Sequence, residues 1–195
     1  MKRVLLLLCE GTEILEAAAF YDIMGWSGSV GPERVAVATA GLRSPVTCAF
    51  GLKVLPDVSL PEVDVEQFDA LAVPGGFEEF GFYEDAYSAE VARLIRSFGE
   101  LGRPVASVCV GALPVARSGL LAGRRATTYH LMDGRRRRQL AEFGVRVIDE
   151  PVVREGNVIT STSPATAAEV ALSLLGDLTG RENADLVRRL MGFGG

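Results

Sequence analysis

Short, unbroken apolar runs alternate along this chain with segments of helical periodicity. The first run, at 4–9, reads VLLLLC, a pattern typical of a strand buried on both faces of a parallel sheet. In the segments between runs, apolar residues recur every three or four positions. Strands are predicted at 4–9, 34–40, 52–55, 68–74, 104–108, 126–129, 145–148, 152–154 and 158–161, and helices at 13–24, 89–101, 112–118, 133–143, 164–178 and 183–191. This alternation predicts an α/β fold with a mostly parallel sheet.

Size and composition exclude several other classes of protein. The 195 residues, 48% of them hydrophobic, suit a single domain spanning 1–195 with a substantial core. The net charge of -5 argues against a general nucleic-acid binder, because such proteins need a surplus of positive charge. Every apolar stretch is shorter than the roughly 20 residues of a membrane span, and the first is too short for a signal peptide. We therefore expect a cytoplasmic protein whose three cysteines are reduced and, by their spacing, bind no metal.

The sequence around Cys109 carries the strongest sign of chemistry. The predicted strand 104–108 leads directly to Cys109, Gly111 follows two positions later, and a helix begins at about 112. This S-V-C-V-G pattern resembles a nucleophile elbow, in which the nucleophile occupies a tight, strained turn at the end of a strand. The positive end of the next helix is expected to lower the pKa of the thiol and favour the thiolate. A buried structural thiol is the alternative, and it is our interpretation of Cys9 and Cys48.

Two adjacent glycines follow another predicted strand. Gly75 and Gly76 come directly after the run at 68–74, and strand ends at one edge of an α/β sheet converge on the same crevice. Backbone N–H groups of such glycines can turn toward a ligand and form an oxyanion hole, although an ordinary turn would have the same sequence.

Two acidic residues follow the first strand. Glu13 and Glu16 are three residues apart, so they share a face in the first turn of the predicted helix 13–24. The helix dipole is a sufficient structural reason for Glu13. Glu16 lies among apolar residues, so we expect its pKa to be raised. A carboxyl group protonated near neutral pH could donate a hydrogen bond to a thiolate or shuttle a proton.

One histidine, His130, follows the short predicted strand 126–129. A cysteine nucleophile is commonly paired with a histidine that is close in space but not in sequence, so His130 is a candidate base, with a structural or exposed histidine as the alternative. The four arginines at 135–138 are predicted to be solvated surface, because four consecutive side chains on a helix point in different directions.

Several short segments together resemble the DJ-1/PfpI family, also called ThiJ/PfpI. In chain order they are GTEILE at 11–16, VAVATAG at 35–41, PDVSL at 56–60, VPGG at 73–76, ASVCVGA at 106–112, ATTY at 126–129 and ITSTSP at 159–164. The resemblance implies a flavodoxin-like three-layer sandwich within the class I glutamine amidotransferase-like superfamily. It also implies a homodimer that works without an added cofactor.

The same resemblance implies roles by position. Cys109 takes the place of the family's reactive, easily oxidised cysteine, and Glu16 that of the acid that hydrogen-bonds its sulfur. The N–H groups of Gly75, Gly76 and Val110 take the oxyanion positions.

Two positions depart from branches of that family. Val110 stands where the protease-like branch has a histidine directly after the cysteine, which argues against a peptidase. Tyr129 stands where another branch has a histidine after paired threonines, and His130 comes one residue later. Because a shift of one residue in a strand reverses the face of a side chain, either Tyr129 faces Cys109 or the strand ends early and His130 reaches it.

Three functional hypotheses follow. The first is a glyoxalase or deglycase-type enzyme, a lyase or hydrolase in which Cys109 attacks methylglyoxal or a similar small electrophile, while Glu16 with His130 or Tyr129 moves protons. The second is a non-enzymatic oxidative-stress sensor or chaperone that acts through oxidation of Cys109. The third is an isocyanide hydratase or amidase-like hydrolase. The expected partners are a small-molecule substrate and a second copy of the chain, with neither nucleic acid nor membrane.

Overall fold

A seven-stranded sheet runs through the centre of the computed structural model, which describes residues 1–194. The strands are β1 (Lys2–Leu8), β2 (Val35–Gly41), β3 (Val46–Thr47), β4 (Lys53–Val54), β5 (Val58–Ser59), β6 (Ala70–Val73), β7 (Val105–Ser107), β8 (Arg125–Ala126), β9 (Arg146–Val147), β10 (Val152–Glu155) and β11 (Val158–Ser161). The order in the main sheet is β10-β11-β7-β6-β1-β2-β5, and every neighbouring pair is parallel except β10 with β11. Two short pairs, β3-β4 and β8-β9, lie outside it.

Helices lie around the sheet in two groups. They are α1 (Ile14–Val30), α2 (Phe82–Ala86), α3 (Ala89–Glu100), α4 (Ala112–Arg117), α5 (Arg135–Glu142), α6 (Ala167–Thr179) and α7 (Arg181–Leu190). Helices α1, α6 and α7 pack against one another, and α4 packs between α3 and α5. The predicted α/β class, with a mostly parallel sheet covered by helices, is confirmed. Within residues 1–194, no helix is long and apolar enough to cross a bilayer.

The apolar runs form the centre of the core. All residues of β6 and β7 are buried, as are the last five of β1. A strand covered by helices on both faces has no solvent-facing side, so its sequence shows no polar alternation.

Two predicted boundaries were wrong. The first helix passes Gly25 and continues to Val30, because Ser27 packs against α7: it is buried, and Asn183 donates a hydrogen bond to its hydroxyl at 2.9 Å. The strand predicted at 126–129 ends after Ala126, because the next N–H, of Thr127, donates to the side-chain hydroxyl of Thr160 at 3.0 Å instead of to a backbone carbonyl of a neighbouring strand.

The strand order reverses direction at β1. The chain proceeds from β1 to β2 and β5 on one side, then returns to β6, β7 and β11 on the other. Ligands of open α/β sheets bind at such a switch point, beyond the carboxyl ends of the strands. The segments that follow β1, β6, β7 and β11 carry the residues of the candidate site.

Candidate active site

Cys109 occupies a strained turn directly after β7. Its φ is 55°, a left-handed conformation that residues other than glycine rarely adopt. A single 3-10 turn, Cys109–Gly111, joins the strand to α4. A Cβ atom at Gly111 would lie 2.3 Å from the carbonyl oxygen of Val73, so only glycine allows the turn to pack this closely against β6. The predicted elbow geometry is therefore present.

Three hydrogen bonds hold this turn. The Thr128 hydroxyl donates to the carbonyl oxygen of Cys109 at 2.8 Å. The Gly111 N–H donates to the carbonyl oxygen of Val108 at 2.8 Å, and the Val108 N–H donates to that of Val73 at 3.2 Å. Because the neighbouring strand and the segment after β8 both contribute, the surrounding structure fixes a backbone conformation that is unfavourable by itself.

Glu16 lies in the first turn of α1 and is fully buried. Its Oε2 accepts a hydrogen bond from the Gly75 N–H at 2.6 Å. The pKa of Glu16 is raised to about 8: burial has the largest effect and the Glu13 carboxylate adds to it, while hydrogen bonds with the Gly75 N–H and the Cys109 side chain act in the opposite direction. This agrees with the expectation from the sequence: burial in an apolar setting disfavours the charged form. At neutral pH the Glu16 carboxyl group carries its proton.

The pKa of Cys109 is also raised, and the expectation that the helix would lower it is wrong. Burial has the largest effect, and the carboxylates of Glu16 and Glu13 add to it, whereas a hydrogen bond from the Val110 N–H lowers the pKa. Helix α4 has only six residues, and one N–H does not offset burial next to two acids. Cys109 and Glu16 therefore titrate as a coupled pair. Burial also raises the pKa of the two other thiols, Cys9 and Cys48.

The backbone donors around the sulfur come from two segments. A Cβ atom at Gly75 would lie 3.0 Å from the Val110 nitrogen, so the glycine allows the loop after β6 to approach the elbow. The Gly75 N–H is already bound to Glu16, which removes it from the predicted set of three oxyanion donors. Gly76 pairs with Thr12 in an isolated antiparallel bridge. Gly76 and Val110 both line the cleft described next.

A cleft of about 490 Å³ opens onto Cys109. Its lining combines the segments after β1, β6, β7 and β11 with the segment before α5: Glu13, Gly76, Phe77, Glu78, Glu79, Cys109, Val110, Tyr129, Leu131, Met132, Arg136, Ser163, Pro164 and Ala165. Burial raises the pKa of Glu13. Cys109 is 6% exposed, and the cleft gives solutes a route to it.

The structure distinguishes between Tyr129 and His130, the two candidates for the proton-transferring residue near Cys109. Tyr129 lines the cleft together with Cys109. His130 is absent from the lining, as far as residues 1–194 show, and lies near Asp149, whose pKa it helps to lower. The strand β8 does end early, but the expectation that His130 would then reach Cys109 is wrong: Tyr129 is the residue that shares the cleft with it.

Arg136 is a cleft residue that sequence reasoning missed. Its side chain is only 17% exposed and donates to Glu78 at 2.8 Å. It lies over the Tyr83 ring, 5.0 Å from the centroid. The expectation that all four arginines at 135–138 are solvated surface was wrong for this one. Leu140, which is fully buried, was the available signal, because residues four apart share a helix face.

Fold and site together define a class: an α/β sandwich with a cysteine in a strained strand-to-helix turn beside a buried glutamate. A sequence model of the DJ-1/PfpI family matches residues 2–177. The chain belongs to the DJ-1/PfpI family.

Individual relatives support this assignment. The chain is 32% identical to the protein dj-1beta of Drosophila melanogaster over 190 residues, covering 96% of this chain and 95% of that protein. The crystal structure of that fly protein superimposes with a TM-score of 0.85 at 30% identity, covering 100% of this chain and 99% of the other. The glutathione-independent glyoxalase DJR-1.2 of Caenorhabditis elegans is 30% identical, covering 93% and 91% of the two chains. The isonitrile hydratase of Pseudomonas putida is 34% identical over 147 residues, covering 74% of this chain and 59% of that enzyme.

Proposed function

We propose that this protein is a cysteine-dependent enzyme of the glyoxalase or deglycase type, in which Cys109 attacks the carbonyl carbon of methylglyoxal or a related electrophile. The observation that carries the proposal is the strained Cys109 turn, which opens into a cleft beside the buried carboxyl group of Glu16. The glyoxalase of C. elegans is a relative over most of the chain, which supports this reaction class.

The coupled pair supplies the nucleophile. The pair loses its first proton near pH 8, and one negative charge is then shared between the sulfur and the carboxyl group. When the remaining proton lies on Glu16, the acid is neutral and the sulfur is a thiolate. The Val110 N–H already points at the sulfur and stabilises that charge. The thiolate then forms a carbon–sulfur bond with the aldehyde carbon.

Donors near the sulfur would stabilise the oxygen of the adduct. The N–H groups of Gly76 and Val110 are the proposed oxyanion donors. The Gly75 N–H is committed to Glu16, whereas the Val110 N–H can turn from the sulfur to the oxygen, because the negative charge moves there as the carbon–sulfur bond forms. Conversion to lactate then requires a proton to leave the former aldehyde carbon and another to reach the neighbouring carbon. Water must finally release the product from sulfur. We assign these proton transfers to Glu16 and Tyr129.

The test is the formation of lactate from methylglyoxal by the wild type and by Cys109→Ser. Lactate must be measured, because arginine side chains, abundant in this chain, consume methylglyoxal without catalysis. We expect lactate from the wild type and from the matched control Cys48→Ser, and none from Cys109→Ser. Equal lactate formation by the wild type and Cys109→Ser would refute the proposal.

Redox sensing is a second candidate function. Cys109 is the most exposed of the three thiols, at 6% against 3% for Cys9 and 1% for Cys48. Among residues 1–194, Oε1 of Glu16 has no aligned hydrogen-bond partner, so a protonated carboxyl group could donate to an oxygen added to the sulfur. Mild peroxide followed by peptide mass spectrometry should show oxygen on Cys109 first; oxygen first on Cys9 or Cys48 would refute this function.

The isonitrile hydratase relative supports a third candidate, the addition of water to an isocyanide at the same sulfur. A simple alkyl isocyanide, assayed for the corresponding formamide, tests it with the same pair of cysteine variants. Formamide that does not depend on Cys109 would exclude it.

We further propose that the protein is a cytoplasmic homodimer. An apolar groove of about 310 Å³ lies between α1 and β4. Tyr21 and Leu55, which line it, are 53% and 73% exposed, and a second copy of the chain would cover them. Sedimentation velocity should give a dimer for the wild type and a monomer for Leu55→Asp. A monomeric wild type would refute the assignment.

A further inference from the structure

Two exposed apolar residues lie at the cleft, and the backbone of one of them is strained. Met132 is 94% exposed and has a φ of 69°, and Leu131 is 54% exposed. Both line the cleft that opens onto Cys109. Exposed apolar side chains next to a concave site commonly contact a ligand, and left-handed backbone at a residue other than glycine concentrates at functional sites.

The cleft is larger than methylglyoxal requires. At about 490 Å³ it falls within the range of sites that enclose drug-sized molecules. Methylglyoxal has only a methyl group beyond its reacting carbonyls, and would leave most of this volume filled with water. Phe77, Pro164 and Ala165 extend the apolar lining away from the sulfur.

The charges of the lining disfavour an anionic substrate. Glu13, Glu78 and Glu79 are carboxylic acids. Arg136 is the single cation in the lining as described for residues 1–194, and it donates to Glu78 and to Gln139 at 2.8 and 2.9 Å. A carboxylate or phosphate on the substrate would therefore have to compete with Glu78 for Arg136.

We propose that the preferred electrophile carries an uncharged apolar arm, about as large as a hexyl or phenyl group, that lies against Phe77, Leu131 and Met132. The substrate class is then an apolar-substituted aldehyde or 2-oxoaldehyde, with methylglyoxal a minimal member. This inference rests on the proposed function only in that it uses the same cleft and the same sulfur.

The test measures alkylation of Cys109, which needs a reachable sulfur but no turnover. N-methyl and N-benzyl iodoacetamide are compared, with rates followed by peptide mass spectrometry and divided by the rates for glutathione. Partial burial of the benzyl group should make the normalised benzyl-to-methyl ratio about tenfold. In the double variant Leu131→Ser, Met132→Ser it should fall to about twofold. The control Leu101→Ser removes an exposed leucine outside the cleft, at 45% against 54% for Leu131, and should keep the wild-type ratio.

The outcomes separate this inference from the proposed function. A wild-type ratio near one, or an equal ratio in the double variant, overturns the apolar arm even if lactate is formed from methylglyoxal. A ratio of about ten that depends on Leu131 and Met132 supports it even if no lactate is formed. Phenylglyoxal should then exceed methylglyoxal in kcat/KM by a similar factor of about ten wherever turnover is found.

Discussion

Replacing Glu16 with glutamine should stabilise the folded protein at alkaline pH while it impairs the site. In the unfolded chain the Glu16 carboxyl group loses its proton near pH 4.5, whereas in the folded protein its pKa is about 8. Between these values the folded state binds one more proton than the unfolded state, so stability falls as pH rises. Each pH unit costs about 1.4 kcal/mol, and the whole window costs at most about 5 kcal/mol. Below the window the effect disappears.

Urea unfolding of the wild type and Glu16→Gln across this pH range is the direct assay. The difference in free energy of unfolding, variant minus wild type, should grow with pH by several kcal/mol and level off near pH 8. Glu100→Gln, at an exposed position in α3, serves as the control for removal of a carboxylate. A difference for Glu16→Gln that stays constant over the range would refute the reasoning, because Glu16 would then titrate alike in both states.

Other substitutions test the geometry of the site. Gly111→Ala should lower the melting temperature by several degrees and slow alkylation of Cys109, since the added Cβ would press on the backbone of β6. Gly25→Ala, within α1 and with open space around the added Cβ, should instead stabilise the folded protein by about 0.5–1 kcal/mol. Equal effects of the two substitutions in thermal melts would contradict this. Tyr129→Phe should reduce kcat at least about tenfold and His130→Ala less than about twofold, and the reverse order would restore the histidine as base. Thr128→Val removes the hydrogen bond to the carbonyl oxygen of Cys109 and should lower the free energy of unfolding in urea by about 1 kcal/mol. An unchanged midpoint would show that the turn is stable without this hydrogen bond.

Elements of the fold with long or unbroken apolar patterns could be predicted from the sequence. The runs at 4–9, 68–74 and 104–108 mark strands buried on both faces, and they appear as β1, β6 and β7. Gly25 wrongly predicted the end of the first helix, because helix propensity is weak compared with packing. The helix continues past it, since Ser27 is buried against α7.

The candidate site was partly predictable. The strained turn at Cys109 follows from a strand, a lone cysteine and a nearby glycine, and the raised pKa of Glu16 follows from its apolar neighbours. The choice between Tyr129 and His130 could not be predicted from the alternation of side chains along a strand, because β8 ends after Ala126 and a side-chain hydrogen bond replaces strand pairing from there on. The direction of the pKa shift of Cys109 could not be predicted, since it depends first on how deeply the sulfur is buried and then on two acids from a distant segment of the chain.

The central claim is that Cys109 and Glu16 share one proton once the pair has lost its first, and that this singly charged pair makes the sulfur reactive. The pH dependence of Cys109 alkylation by iodoacetamide, in the wild type and in Glu16→Gln, tests it most directly. We predict an inflection near pH 8 in the wild type, where the pair loses its first proton as Glu16 titrates, and a shift to higher pH in the variant, where a buried thiol must ionise without its partner. A Cys109 that stays unreactive at every pH, or a profile that is identical in the two proteins, would contradict it.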